Sequence, residues 1–344
     1  MERFEHVDAS SVAGAIDLLQ AHEGRAPGTA RPIAGGTDLL PTLKAGLHQP
    51  LRLVNLKTIR GLDTISDFAG TLRLGALVTL DTLQRHALVK ERYQALADAA
   101  SWAASPQLRN MGTLGGNLAQ ETRCWYYRNA DFPCWLKGGE TCFARQGENA
   151  HHAIFTAEGP CVSVYPSDPA TALLALDATV LIQTAAGEER RAVGEYFTLP
   201  QEDHRRLNRL GPADLITGVE LPPVAAGRTT SLYLKAMDRA IWSFALVGVA
   251  VAITWRTPPA ADDPATIERV RIALGGVAPV PRRAPAAEAF LAGKALDGAT
   301  AQEAGRLAVQ GAVPLAHNTY KVHLASGLVA RALLQCAGLD DRTG

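Results

Sequence analysis

Apolar positions near the start of the chain recur at helical spacing. Val12, Ile16, Leu18 and Leu19 follow Ser10-Ser11, either of which can cap a helix that the pattern ends near Gly24. Arg31-Pro32-Ile33 reads as a short strand that runs into Ala34-Gly35-Gly36-Thr37-Asp38-Leu39-Leu40, a glycine turn with a helical start. Leu51–Leu56 and the alternating Leu72–Leu77 read as strands, and Thr79–Ala87 and Arg92–Ala104 as helices. A second glycine turn follows at Asn110-Met111-Gly112-Thr113-Leu114-Gly115-Gly116-Asn117.

From Leu118 to Pro160 the periodicity breaks down. Regular structure is expected again at Val162–Tyr165, then a helix at Pro169–Leu176 and strands at Thr179–Thr184 and Leu215–Leu221. Leu221-Pro222-Pro223-Val224-Ala225-Ala226-Gly227 is the best linker candidate. Beyond it come a strand at Ser231–Met237, a helix start near Arg239 and a strand at Ala245–Trp255. Thr257–Pro264 reads as a hairpin or crossover loop, and Arg269–Leu274 as a strand closed by Gly275-Gly276. Alanine-rich helices are expected at Ala286–Ala292, where Pro285 suits the first position, at Ala301–Gln310 and at His317–Leu334. No internal repeat is visible.

Composition narrows the class. The 344 residues carry 34 Lys+Arg and 34 Asp+Glu, with 47% hydrophobic and 20% charged residues, an ordinary globular balance. Zero net charge removes the overall basic footprint of a nucleic-acid binder. The longest apolar run, Phe244–Trp255, is too short to cross a bilayer, and Met1-Glu2-Arg3-Phe4-Glu5-His6 has no apolar signal core. A soluble protein is expected, cytoplasmic or exported to the periplasm with a signal-bearing partner.

The cysteines are unevenly placed. Four stand at Cys124-x9-Cys134-x7-Cys142-x18-Cys161, and Cys336 stands apart as an expected buried apolar residue. A long chain without a signal has no need of a disulfide framework, so a clustered set of thiols points to a metal or a cluster. Four thiolates suit tetrahedral zinc or a [4Fe–4S] group. None of the gaps has the short spacing of a zinc knuckle, so an extended loop would close around the site. His151-His152 lie in the same loop and could replace one thiol, although as a pair they read better as exposed polar residues. Five aromatics between Trp125 and Trp135 argue against disorder there.

The two glycine turns share a form, Gly-Gly flanked by Thr. Backbone N–H groups in such turns can approach phosphate oxygens closely, and a Thr hydroxyl adds a donor. Neither turn is a P-loop, and no G-x-G-x-x-G occurs. The pair is compatible with a two-loop pyrophosphate clamp and also with ordinary tight turns. No Ser-His-Asp set, no paired carboxylates and no H-E-x-x-H is apparent, so no catalytic residue is expected in this chain.

Ala34–Leu40 and Arg109–Leu118 resemble the two FAD-binding loops of the flavin-binding medium subunit of molybdenum hydroxylases, the family of xanthine dehydrogenase and carbon monoxide dehydrogenase. The resemblance continues through Pro166-Ser167-Asp168-Pro169-Ala170, Leu234-Lys235 with Arg239, and Leu274-Gly275-Gly276-Val277-Ala278, in order along essentially the whole chain. It implies an α+β protein: a two-subdomain FAD-binding fold of the PCMH type, at residues 1–57 and 58–224, then an α+β C-terminal domain of antiparallel strands and helices at 228–344. It implies that Ile33, Ala34, Gly35, Gly36, Thr37, Asp38 and Leu39, with Asn110, Gly112, Thr113, Gly115, Gly116 and Asn117, hold FAD around its pyrophosphate. Asp168 would lie by the flavin or its ribityl chain, and Lys235 near the isoalloxazine edge.

The cysteine loop, at 118–161, resembles the insertion in the flavin subunit of bacterial periplasmic aldehyde oxidoreductases and in the β subunit of 4-hydroxybenzoyl-CoA reductase. Thr122-Arg123-Cys124 followed by aromatics matches both. Cys161–Asp168, the segment Arg239–Val247 and the short first gap look closer to the aldehyde type. The resemblance implies that Cys124, Cys134, Cys142 and Cys161 hold a [4Fe–4S] cluster near the flavin. It implies a large molybdopterin-binding subunit, a small subunit with two [2Fe–2S] clusters, and an external electron partner such as ferredoxin, with FAD converting between one- and two-electron steps. Three other readings stay open: the β subunit of a 4-hydroxybenzoyl-CoA reductase-type enzyme with electrons flowing inward from ferredoxin, a self-sufficient FAD oxidoreductase with a structural zinc loop, and a zinc-binding scaffold.

Overall fold

Three sheets, each with its own helices, follow one another along the chain in a computed structural model that describes residues 2–21, 29–157, 159–202, 205–225, 227–240, 242–259 and 265–339. The first is a parallel sheet of β1 (Glu5–Asp8), β2 (Ala30–Ile33) and β3 (Arg52–Asn55), in the order β1-β3-β2. Its helix, Val12–Gln20, starts at Ser11, whose hydroxyl accepts from the Gly14 N–H. Ala15, Ile16 and Leu19 of that helix pack with Val54 and Leu56, each large side chain contributing roughly 2 kcal/mol of burial. The expected helix end near Gly24 lies outside the described residues.

The second sheet is antiparallel. It contains β4 (Ile65–Phe68), β5 (Thr71–Gly75), β6 (Thr179–Thr184), β7 (Gly187–Ala192) and β8 (Leu215–Leu221), in the order β4-β5-β8-β6-β7. Helices Leu80–Arg85, Ala87–Arg92, Gln94–Trp102 and Asp168–Ala175 cover it. Every residue of Asp168–Ala175 is buried behind the Ser167 cap, including Asp168 and Thr171. The two helices expected over Thr79–Ala87 and Arg92–Ala104 become three, with breaks at His86 and Tyr93, where the backbone leaves the helical region.

The third sheet is antiparallel, with β9 (Thr229–Ala236), β10 (Val247–Thr257), β11 (Thr266–Gly275) and β12 (Arg282–Arg283) in the order β12-β11-β10-β9. Val247, Val249, Val251, Ile253 and Trp255 face helices Pro285–Leu291, Gly298–Ala308 and Tyr320–Cys336. Ala250 and Ala273 face the other way, into the core of the second sheet. Burial on both faces explains why β10 reads as one continuous apolar run. The hairpin expected after Thr257 is present as the β10–β11 pair, although residues 260–264 lie outside the described residues. Of the expected linker, Leu221 ends β8, residues 222–225 form no regular element, and Ala226 is not among the described residues.

Two expectations fail. Val162–Tyr165 is extended but forms no strand, because its amide and carbonyl groups reach separate partners: Val162 accepts from Ala153, and Tyr165 donates to Ala278. No helix starts at Arg239. Its guanidinium donates back to the Trp242 carbonyl at 2.9 Å and closes a bend, and Ile241 lies outside the described residues.

Candidate flavin and cysteine sites

The two glycine turns, far apart in sequence, meet face to face. A Cβ on Gly35 would stand 1.9 Å from the Met111 carbonyl oxygen, so only glycine lets the loops touch there. The first loop follows β2, and Gly36 adopts φ +70° before the short helix Leu39–Lys44. Among the described residues, the backbone N–H groups of 34–39 donate to no protein acceptor. Residues 34–39 are half-buried, and a row of open backbone donors of this kind suits an anionic oxygen.

The second loop is different. Gly112 N–H donates to Leu108, Gly115 N–H to Ala76, and Asn117 N–H to Thr113. Thr113 caps the short helix Leu114–Leu118 by accepting from Gly116 N–H. A Cβ on Gly115 would lie 2.9 Å from the Ala76 side chain, so the turn is pressed against the strand end. Asn117 receives the Ser167 hydroxyl, tying this loop to the start of Asp168–Ala175. Asn110 is exposed beside the turn.

Asp38 faces the cysteine loop. Its carboxylate accepts from the Glu121 N–H at 2.9 Å and from the guanidinium groups of Arg123 at 2.7 Å and Arg128 at 2.8 Å. Glu121 accepts from His48 Nε2 at 2.7 Å and from the Tyr127 hydroxyl at 3.0 Å, with Arg31 at 3.4 Å. Burial acts to raise the Glu121 carboxyl, but the hydrogen bond and charge of His48, with Arg31 and Tyr127, outweigh it and hold it at about 2.

Asp168 and Lys235 meet each other. The Lys235 ammonium donates to Asp168 Oδ2 at 2.8 Å and to the Trp102 carbonyl at 2.9 Å, and the Tyr233 hydroxyl donates to Asp168 Oδ1 at 2.5 Å. The Lys235 side chain is 1% exposed. Burial, then the Asp168 charge and its hydrogen bond, drive the Tyr233 phenol well above its ordinary value, so it stays a donor. This buried trio joins the helix Asp168–Ala175 to β9.

Cys124, Cys134, Cys142 and Cys161 line a single cavity of about 10 Å³, walled by Tyr126, Trp135, Leu136 and Phe143. All four are free thiols, and Cys134 and Cys161 are buried. Burial pushes the Cys124 thiol up to about 12 and the Cys161 thiol to about 11, with the neighbouring cysteines adding to the rise. Among the described residues no group of three or more His, Cys, Asp or Glu side chains is arranged to hold a metal ion. In chemistry the lining is nonetheless the donor set of a four-thiolate group, with four sulfurs on one cavity. Short turns shape the loop: a helix at Trp125–Arg128 and 3₁₀ turns at Trp135–Lys137 and Phe143–Arg145.

Three tethers hold this loop, from three parts of the chain. Asp38 is the first. Arg205 donates to the carbonyls of Trp135 at 2.7 Å and Gly139 at 2.8 Å while lying over the Trp135 ring. Lys321, fully buried, donates to the carbonyls of His151 at 3.0 Å, His152 at 3.0 Å and Gly276 at 2.8 Å. Burial pushes its amine down to about 7, with the charge of Asp238 acting the other way.

His151 is exposed as expected, but His152 is not. It is 3% exposed, with Nε2 3.2 Å from Cys124 Sγ, because Asn318 and Lys321 draw its carbonyl inward. Cys336 is buried, as expected of an apolar residue. The residues that sequence reasoning missed are His48, Glu121, Arg128, Arg205 and Lys321. Arg128 and Glu121 flank the quoted Thr122-Arg123-Cys124, which was the available signal; Arg205 and Lys321 gave none.

Residues 2–224 match the family of FAD binding domains in molybdopterin dehydrogenases, and residues 232–336 match the CO dehydrogenase flavoprotein C-terminal domain. The chain is 38% identical over 314 residues to the aldehyde oxidoreductase FAD-binding subunit PaoB of Escherichia coli (strain K12), covering 90% of this chain and 92% of that one. It is 27% identical to the carbon monoxide dehydrogenase medium chain of Hydrogenophaga pseudoflava, over 96% of each. Among solved structures, a carbon monoxide dehydrogenase from H. pseudoflava superposes with a TM-score of 0.74 at 26% identity, covering 98% of both chains. Quinoline 2-oxidoreductase from Pseudomonas putida 86 gives the same TM-score, 0.74, at 25% identity and 98% coverage of both. No helix among the described residues is long and apolar enough to cross a membrane. The chain belongs to the FAD-binding medium subunits of the molybdenum hydroxylases and is the flavoprotein subunit of a molybdenum-dependent oxidoreductase.

Proposed function

We infer that this subunit passes electrons between the [2Fe–2S] clusters of a small subunit, FAD, a [4Fe–4S] cluster on its own four cysteines, and an external one-electron partner such as ferredoxin. Substrate chemistry belongs to a large molybdopterin-binding subunit. Aldehydes are the favoured substrate class, on the likeness to PaoB. The observation that carries the reading is the convergence of Cys124, Cys134, Cys142 and Cys161 on one cavity. Asp38, at the end of the first glycine loop, ties that pocket to the flavin side through Arg123 and Arg128.

FAD would be held by Ile33–Leu39, with the free amides of 34–39 meeting the pyrophosphate, while Asn110, Gly112, Thr113, Gly115, Gly116 and Asn117 would form the opposite wall of the site and brace the first loop, their amides being largely committed to the protein. When bound, FAD supplies the exchange between one- and two-electron steps. The chain's own residues exclude water and fix distances. The Asp168–Lys235–Tyr233 trio acts on the flavin side by fixing β9 against the helix Asp168–Ala175, rather than by free side chains reaching into the site. The four cysteines would each give one sulfur to the cluster, with the tethers from Asp38, Arg205 and Lys321 keeping the loop closed.

The test is iron, acid-labile sulfide, zinc and FAD per chain in anaerobically purified complex. About four irons in this subunit with one FAD is the expected result. One zinc, or no metal, overturns the cluster and favours the structural-zinc form of the loop.

A further inference from the structure

We propose that His152 and Ser163 are hydrogen-bond donors to two of the four cluster sulfurs, those of Cys124 and Cys161, and that they raise the reduction potential of the group those cysteines hold. The proposal rests on the four-cysteine reading above.

His152 is 3% exposed and its ring packs against Trp125 and Tyr126. Its Nδ1 is buried without a partner among the described residues, so Nε2, 3.2 Å from Cys124 Sγ, is the ring nitrogen with a polar neighbour. A neutral imidazole carries one N–H. A cysteine sulfur bound to iron has no proton and can only accept, so the N–H belongs on Nε2. The backbone that carries the ring is held on both sides. The His152 N–H donates to Asn149 at 3.0 Å, and its carbonyl accepts from Lys321 at 3.0 Å and Asn318 at 3.1 Å.

Cys161 Sγ lies 3.3 Å from the Ser163 hydroxyl, which is 2% exposed and lines the same cavity. As a thiol, Cys161 donates to Ser163; as a thiolate ligand it accepts, and the hydroxyl turns to donate. Cys134 and Cys142 have no side-chain donor among the described residues, so the four sulfurs are unequal. Uptake of one electron makes the group one unit more negative and breaks no bond to the protein. Both donors keep their protons. A donor aimed at sulfur stabilises the more negative state, and hydrogen bonds to the sulfurs are one of the levers that set such potentials.

The experiment is a dithionite titration of the purified complex at controlled potentials, followed by electron paramagnetic resonance. His152→Leu should favour the oxidised form about tenfold at a fixed potential, a fall of about 59 mV for one electron. Ser163→Ala should shift it the same way by a smaller factor, and His152→Gln, which keeps an N–H, should recover part of the loss. Iron and FAD per chain should match the unmodified complex in all three. An unchanged potential in His152→Leu at full iron content overturns the proposal and leaves the four-cysteine reading standing. Loss of one iron in His152→Leu makes His152 a ligand and also overturns it. Unmodified complex without iron overturns the underlying reading instead. Should His152→Leu not assemble, Ser163→Ala, which removes a single hydroxyl, decides by the same readout.

Discussion

The two glycine turns look alike as sequence and behave as opposites. The first leaves the amides of 34–39 without protein partners, and its surroundings are held by charge: Asp38 with Arg123 and Arg128, and Glu121 with His48 and Arg31. The second commits its amides to Leu108, Ala76 and Thr113, and is held by backbone. Glycine in the first turn serves an open row of donors, and in the second a close fit to a strand end. One motif can therefore either present open backbone donors or close against a strand end. What separates the two is the tertiary partner of each N–H.

The sharpest way to break this comparison is Gly35→Ala. The added carbon meets the Met111 carbonyl at 1.9 Å, with backbone on both sides and no side chain to yield. The loops must part, at a cost of about 3 kcal/mol or more, and FAD per chain should fall with the melting temperature. Normal flavin content in this variant would show that the contact is dispensable.

Acid should separate the loops next. The Glu121 carboxyl is depressed from 4.5 to about 2, so its contribution is complete above pH 4.5 and is lost as pH falls from there through 2. That contribution is about 3 kcal/mol at neutral pH. The amides of Leu40 and Glu121, which donate to Gly36 and Asp38, should therefore lose exchange protection, corrected for the intrinsic rate at each pH, between pH 5 and pH 3 well before those of 112–118 do. Equal loosening of both would mean that the first loop is not held by charge.

Gly115→Ala addresses the brace. Its Cβ would sit 2.9 Å from that of Ala76, so a loss of about 2 kcal/mol is expected in denaturant unfolding, with FAD affinity falling only as far as stability does. Thr113→Ala, which removes the cap on Leu114–Leu118, should cost about 1 kcal/mol by the same measurement. A drop in flavin content out of proportion to stability in either variant would move the second loop from brace to binder.

Much of this architecture was legible because apolar periodicity follows burial. The helix Asp168–Ala175, β6, β8 and β10 fall close to where their apolar runs place them. The strands that escaped are polar. β1 is Glu-His-Val-Asp with only Val7 half-buried, and β7 is a charged outer strand held by its ladder to β6. Backbone pairing leaves no mark on side-chain pattern when one strand lies at an edge. The glycine loops and cysteines were legible as motifs. The tethers were not, because a lone Lys or Arg reads as a surface charge until its carbonyl partners are known. Lys321 and Arg205 each reach backbone well over sixty residues away.

The origin of those tethers has a consequence for biogenesis. Asp38 is synthesised before the cysteines, Arg205 after them, and Lys321 169 positions beyond the His152 whose carbonyl it holds. A nascent chain that has displayed all four thiols still lacks the clamp that closes their loop. The closed loop is therefore a product of nearly the whole chain, completed only when the helix Tyr320–Cys336 docks.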